Sequence, residues 1–281
     1  MASIKDKLLA IGAALAYPQV RLKPAITKEH FYGKWVLVTG ASHGIGRTLT
    51  EKLIDADANV FLIARSEADL RYLCDRAKQR GNRADYCAID LRDREKLELL
   101  CQKLKETLPQ LDYFFCNAGK SIHRKITDAL DRLHDYDRTM DLNYRALVAL
   151  SLALLPALKA SKGSIIYSSS VSTRYPMAPG WSAYHASKSA ANTWCETANS
   201  EFAPLGIRVQ IAYLPLVHTA MSDVNERYRQ LPAYYPADAA NILLQLAIRK
   251  GKRYQPWWAK LSAPIAYLFA PIVHLFYKRM V

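Results

Sequence analysis

Seven short apolar runs alternate with longer helical patterns between residues 34 and 258, and that alternation leaves few folds open. The runs are WVLVT (35–39), NVFLIA (59–64), ADYCAI (84–89), DYFFCN (112–117), SIIYSS (164–169), RVQIAY (208–213) and KRYQPW (252–257). Helical stretches are expected at 46–56, 67–80, 94–107, 135–158 and 184–204. Strands that alternate with helices of this length form βαβ units and a parallel sheet. The runs are almost continuously apolar, as strands become when helices cover both faces. The fold class is therefore α/β, with a doubly wound parallel sheet. No repeat, low-complexity linker or composition break interrupts 34–258, so one domain is expected there. An amphipathic segment (1–33) precedes it and an apolar tail (259–281) follows.

The first strand runs into TGASHGIG, which is Thr39, Gly40, Ala41, Ser42, His43, Gly44, Ile45 and Gly46. Glycines at a strand-to-helix turn let backbone approach a pyrophosphate, and the helix N-terminus offers free amides and a positive dipole end. Tight turns use glycine too, but a strand before and a helix after supply the context that a dinucleotide site requires. The second strand ends at Arg65 and Ser66, where an acidic residue would hold a ribose 2′-hydroxyl. Arg65 and Ser66 instead suit a 2′-phosphate, with His43 beside them. The expected cofactor is NADP(H).

Residues 184–188 read YHASK. Four residues make about one helical turn, so Tyr184 and Lys188 share a face. A free phenol titrates near 10. A neighbouring ammonium favours the phenolate and lowers that value. Tyr184 could then exchange a proton with a developing alkoxide.

Taken together, TGASHGIG, Asp90–Leu91, Asn117–Ala118–Gly119, Asn143, the serine-rich end of the fifth strand and YHASK resemble the short-chain dehydrogenase/reductase family over about 34–258. The resemblance implies a Rossmann fold and an NADP-dependent oxidoreductase. It assigns Asp90, with Leu91, to the adenine end and Asn117, Ala118 and Gly119 to the cofactor floor. It gives Lys188 to the nicotinamide ribose and Asn143 to a water beside that lysine. Ser168, Ser169 and Ser170 all lie where the carbonyl-polarising serine belongs, and alignment on the family pattern selects Ser170. Its spacing to Tyr184 is then 14, one longer than usual for the family. Pro215, Val217 and Thr219 fall on the segment that meets the nicotinamide carboxamide. Leu216 stands where the family usually has glycine, and it adds apolar surface beside the substrate.

Substrate is less constrained. The segment MSDVNERYRQLPAYYP after Thr219 is a lid by position. With the apolar tail it suggests a hydrophobic substrate reached from a membrane surface. NAGKSIHRKITDALDRLHDYDRTMDLNY and YLPLVHTAM are similar to a bacterial subgroup that includes long-chain fatty acyl-CoA reductases forming fatty aldehydes. APIVHLFYKRM is similar to lipid-acting members, including reductases of 3-oxoacyl lipids. The favoured reaction is fatty acyl-CoA to fatty aldehyde. A 3-oxoacyl-lipid, aldehyde or hydroxysteroid-type ketone is the alternative substrate, and a non-catalytic NADPH-binding, membrane-associated protein the alternative of another class.

The chain carries 39 basic and 25 acidic residues, a net charge of +14, which suits an anionic partner. The basic residues are scattered, which argues against nucleic acid. Hydrophobic residues at 51% with charged residues at 23% exclude a polytopic membrane protein. The five cysteines, Cys74, Cys87, Cys101, Cys116 and Cys195, show neither CxxC nor metal-ligand spacing. They fit reduced, buried thiols in the cytoplasm.

The apolar N-terminal run fits a signal peptide loosely. Ile4, Leu8, Ile11 and Leu15 equally fit an amphipathic helix. A cytosolic nucleotide favours the uncleaved helix. The tail, with Trp257, Trp258, Tyr267, Phe269, Phe276, Tyr277, Lys278 and Arg279, fits an interfacial segment broken at Pro264 or Pro271. It equally fits a cover over the pocket or a dimer contact. A dimer or tetramer, with peripheral contact on the inner membrane face, is the expected assembly.

Overall fold

The computed structural model describes residues 12–224 and 226–280. Its elements are α1 (Pro24–Phe31), β1 (Trp35–Thr39), α2 (Gly44–Asp55), β2 (Asn59–Ala64), α3 (Glu67–Gln79), β3 (Ala84–Ala88), α4 (Arg94–Thr107), β4 (Tyr113–Cys116), α5 (Leu133–Met140), α6 (Ala146–Ser161), β5 (Ser164–Ser170), α7 (Ser182–Phe202), β6 (Arg208–Leu214), α8 (Pro236–Arg249), β7 (Arg253–Tyr254), α9 (Trp257–Leu268) and α10 (Ala270–Met280). Single helical turns cover Val171–Arg174 and Glu226–Arg229.

The seven strands form one parallel sheet in the order β3-β2-β1-β4-β5-β6-β7. Strand order reverses direction between β1 and β4, and the crevice above that switch is where such sheets bind ligands. Both faces are covered. On one side Leu49, Leu53 and Ile54 of α2, Leu70 and Leu73 of α3 and Leu243 and Leu244 of α8 pack under the sheet. On the other, Leu97 and Leu100 of α4, Leu147, Leu150 and Leu154 of α6 and Cys195 of α7 do the same. This double cover explains the unbroken apolar runs of the strands. β7 is shorter than its apolar run suggests, because Pro256, which has no amide proton to donate, ends the ladder.

The long helix expected at 135–158 is three pieces. α5 and α6 flank a π-helical segment, Asp141–Arg145, that carries Asn143. The span 133–161 is long and apolar enough to cross a bilayer. Its residues Leu147, Leu150, Leu154 and Leu158 are buried in the core, so it is a core element here.

The two ends of the described chain meet. The indoles of Trp257 and Trp258 donate to the carbonyls of Leu15 and Ala16 at 3.0 and 2.9 Å. Ile4, Leu8 and Ile11 lie outside the described residues. Pro264 sits inside α9 without breaking it. The chain instead turns by 86° at Phe269, between α9 and α10. Pro271 takes the second position of α10, where its missing amide proton costs nothing.

Candidate active site

Gly40 has φ +69°, and a Cβ there would lie 3.0 Å from the Cα of Ala118. A Cβ on Gly46 would lie 2.0 Å from the carbonyl oxygen of Gly40. The loop is therefore as thin as backbone allows, and α2 begins directly above it with its first amides open. Thr39 braces the loop against the next turn. Its Oγ1 accepts from the amides of Asn117 and Ala118, both at 3.1 Å. Ser42 is buried, and its hydroxyl lies 2.8 Å from Nδ1 of His43. These residues offer the cradle and donors that a dinucleotide pyrophosphate requires.

The expected 2′-phosphate corner is cationic. Arg65 is exposed at the end of β2. Ser66 donates to Asp69 at 2.5 Å, Arg47 donates to the same carboxylate at 3.1 Å, and His43 lies 3.8 Å from it. Arg47 was not among the residues singled out from sequence. Its position one turn after His43 places it on the same edge of α2. Leu91 is buried, and the neighbouring Asp90 carboxylate is gripped by Arg92, which holds it at about 2. Lys120 lies beside them, its ammonium pushed down by burial and by Arg138, Arg92 and Arg65.

The reacting end lies at the C-terminal tips of β4, β5 and β6. Side chains alternate along a strand. Accordingly, Ser169 turns away to Asn192 at 2.6 Å, while Ser168 meets Asn117 at 3.3 Å. Ser170 bears on the Tyr184 phenol and lowers its pKa, against the stronger upward push of burial. Lys188 is buried, donates to the carbonyl of Ser168 at 2.7 Å and stands 4.7 Å over the Tyr167 ring. Burial brings its ammonium down to about 8.

The shift expected on Tyr184 is absent: the phenol is raised, and Lys188 is not among the groups that act on it. The ammonium is held instead by the Ser168 carbonyl. Asn143 is 1 % exposed and fully bonded. It donates to Lys120 O and Ser187 Oγ, each at 2.9 Å, and accepts from Lys120 N at 2.8 Å. The π segment and these bonds together fix its position. A Cβ on Gly119 would fall 3.3 Å from Asn143 Oδ1 and 3.5 Å from Lys188 Nζ, so Gly119, Asn143 and Lys188 share one small space.

A cavity of about 1120 Å³ joins the glycine loop to the ends of β5 and β6 and the YHASK helix. Its cofactor side is lined by His43, Gly44, Ile45, Asn117, Gly119, Pro215, Val217 and Thr219. Its outer side is lined by Tyr17, Trp181, Leu216, Met221, Tyr228 and Leu231. Trp181 stacks on Tyr228 at 6.0 Å and 11°, and its ring also meets that of His123 at 4.7 Å. Trp181, His123 and Tyr17 were not anticipated, because their approach depends on the loop before α7 and on the N-terminal segment. A cleft this large exceeds the ordinary range for one small ligand, about 300–1,000 Å³.

Fold and site define a nucleotide-dependent oxidoreductase. The chain belongs to the short-chain dehydrogenase family, whose model matches residues 34–229. It is 34% identical over 251 residues to a fatty acyl-CoA reductase of Acinetobacter baylyi, covering 89% of this chain and 84% of the relative. A fatty acyl-CoA reductase of Mycobacterium tuberculosis is 33% identical over 241 residues, covering 85% and 82%. A benzil reductase of Saccharomyces cerevisiae is 36% identical over 179 residues, covering 60% and 66%. Among solved structures, a Beutenbergia cavernae protein with bound NADP shares the fold at a TM-score of 0.70 and 23% identity, covering 79% of this chain and 94% of its own. A metagenomic short-chain oxidoreductase in complex with NADP reaches 0.65 at 26% identity, covering 78% and 91%.

Proposed function

We propose that this protein uses NADPH to reduce a carbonyl of a long-chain acyl substrate, with fatty acyl-CoA to fatty aldehyde as the favoured reaction. The observation that carries this reading is the continuity of the cavity. One wall holds the Ser170–Tyr184–Lys188 group, and the other is an apolar, aromatic chamber under a lid. The two fatty acyl-CoA reductases among the relatives support it. NADPH, when bound, supplies the hydride. Ser170 and Tyr184 bind the substrate oxygen and stabilise the charge that develops there. Tyr184 gives its proton to that oxygen; burial raises its pKa, and the hydrogen bond with Ser170 works against that rise. Lys188, Asn143 and Gly119 hold the ribose end in register. With a thioester, the resulting hemithioacetal loses thiol to give aldehyde and free CoA. Gly40, Gly44, Gly46, Ser42, Arg65, Ser66 and Arg47 hold the cofactor's phosphates in this reading.

A ketone would meet the same oxygen-binding pair and leave as a secondary alcohol, and the benzil reductase relative favours this second reading. NADPH oxidation followed with acyl-CoAs, fatty aldehydes, 3-oxoacyl esters and steroids decides between them. Turnover of acyl-CoA that Tyr184→Phe abolishes is the expected result. Turnover of ketones alone would remove the acyl-CoA assignment.

We infer also that α9 and α10 rest on an anionic bilayer. They expose Leu261, Ile265, Leu268, Ile272, Leu275 and Phe276. Residues 257–281 contain no acid and carry Lys260, Lys278 and Arg279. Their other face is latched to the loop before α7 by Tyr175–Ser262 at 2.6 Å and Tyr267–Tyr175 O at 3.2 Å. That loop lines the cavity, so an acyl chain would pass from lipid to the site along one apolar surface. Leu268→Glu/Ile272→Glu should abolish co-sedimentation with phosphatidylglycerol vesicles while leaving turnover of detergent-dispersed substrate. Undiminished sedimentation would refute the contact.

A further inference from the structure

Next to Tyr184 stands a buried ring with no task in the reaction as derived so far. His185 is 5 % exposed. Its Nε2 lies 3.1 Å from Ser172 Oγ, and Ser172 Oγ lies 2.8 Å from Ser170 Oγ. A continuous line of polar atoms thus runs from His185 through Ser172 to Ser170 and into the cavity. We propose that His185 is a positioning residue which, through Ser172, leaves the Ser170 hydroxyl as a donor aimed at the substrate oxygen.

The direction of this line follows from counting protons. In one polarity, Nε2–H donates to Ser172, Ser172 donates to Ser170, and the proton of Ser170 is left for the cavity. In the other, Ser170 donates to Ser172, Ser172 donates to Nε2, and the ring carries its proton on Nδ1. Nδ1 is buried and has no partner among the described residues. A buried N–H with nothing to receive it is rarer than a buried acceptor left partly unfilled. The first polarity is therefore the stable one.

The backbone agrees. The amide of Ser172 donates to Ser170 Oγ at 3.3 Å. Ser170 Oγ then accepts from two donors, which fills both lone pairs. Its own O–H is the only capacity that remains, and a carbonyl oxygen gathering negative charge requires a donor there. The ring must be neutral for this count to hold. Burial lowers the His185 pKa, and its ring neighbours are Trp181 at 6.4 Å and Tyr184 at 5.9 Å.

This inference rests on the reading of Ser170 and Tyr184 given above, so its test needs a readout that does not depend on turnover. Nitrogen-15 NMR of the full chain labelled at histidine should show a neutral His185 with its proton on Nε2. An Nδ1–H tautomer would overturn the proposal. In parallel, His185→Phe and Ser172→Ala should each lower kcat about tenfold on the carbonyl that the wild type turns over fastest. KM and NADPH affinity should stay within about twofold. That reduction is smaller than the roughly 100-fold loss typical of a donor that touches the oxyanion itself. The double variant should be no slower than either single one, since one line is cut in both. His185→Gln, whose amide nitrogen can take the place of Nε2–H, should restore most of the rate.

An unchanged kcat in His185→Phe alongside an inactive Tyr184→Phe would refute the line. A loss that His185→Gln fails to restore would reduce His185 to packing. If Tyr184→Phe itself keeps its turnover, the reading of the reaction falls, while the tautomer still decides the polarity of the line.

Discussion

Replacing Lys188 by methionine should change how stability depends on pH. Lys188 is 5 % exposed, and burial brings its ammonium from 10.5 to about 8. The thiols of Cys116 and Cys195 beside it stay protonated, the first pushed up to about 12 by burial. Each pKa unit is worth about 1.4 kcal/mol, so charging this site at neutral pH costs the fold about 3 kcal/mol. The folded-state value is the depressed one. Between about 8 and 10.5 the unfolded chain binds more protons than the native one, and stability rises with pH through that window. With those two values, wild type gains about 2 kcal/mol between about pH 7 and about pH 9.5 from this group. Lys188→Met gains nothing from it. Urea unfolding of both proteins across that range should show the stability of the variant relative to wild type falling by about 2 kcal/mol. Contributions from all other groups cancel in the difference. The absolute offset at neutral pH also contains the lost bond to Ser168 O and the lost contact with Tyr167, so the slope is the decisive quantity. A flat difference would show that the ammonium is not held out of water, and the account of Lys188 as a buried, strained cation would fall.

Other outcomes follow from the cofactor half. Gly46→Ala places a Cβ at 2.0 Å from Gly40 O, against the 3.0 Å below which real Cβ atoms essentially never come. The oxygen it meets belongs to the backbone and cannot swing aside, so we expect a loss of about 3 kcal/mol in urea unfolding together with weakened NADPH binding; an unperturbed variant would refute the tight-loop geometry. Arg65→Ala and Arg47→Ala should each weaken NADPH by about 10- to 100-fold and NADH hardly at all, as read by fluorescence titration, since a charge-assisted bond contributes about 1.5–3 kcal/mol. Equal losses for both nucleotides would remove these residues from the 2′-phosphate corner.

Much of the frame was legible in the sequence, because each strand is short, apolar and bounded by polar turns. Trp35–Thr39 and Asn59–Ala64 fall where the apolar runs begin and end. The amphipathic pattern of Arg94–Thr107 likewise matches its helix. The irregular parts were not legible. A π segment adds one residue to a helical turn without disturbing the apolar pattern on either side, so the break at Asn143 left no periodic trace. Between Ser170 and Tyr184 the chain forms a single turn at Val171–Arg174 and then a loop, the irregular stretch in which the one-residue excess over the family spacing falls. Alignment on the family pattern selects Ser170; strand alternation turns Ser169 away, and Ser170 is the serine that bonds with Tyr184. Arg47, Ser172 and His185 were passed over for a common reason. Their contacts depend on side-chain reach across a turn, and composition carries no sign of that.

The meeting of the two chain ends has a consequence for how such a protein diversifies. The glycine loop, the sheet and the YHASK helix form a redox engine whose parts constrain one another tightly. The entrance is assembled from other material: Tyr17 from the N-terminal segment, the lid after Thr219, and a loop tied to α9 and α10. These pieces can drift without disturbing the strand order or the cradle. A change of clientele would therefore be written in these peripheral segments, and a graft of the N-terminal segment, the stretch after Thr219 and the loop before α7 together from a relative should carry substrate preference with it while the chemistry stays in place.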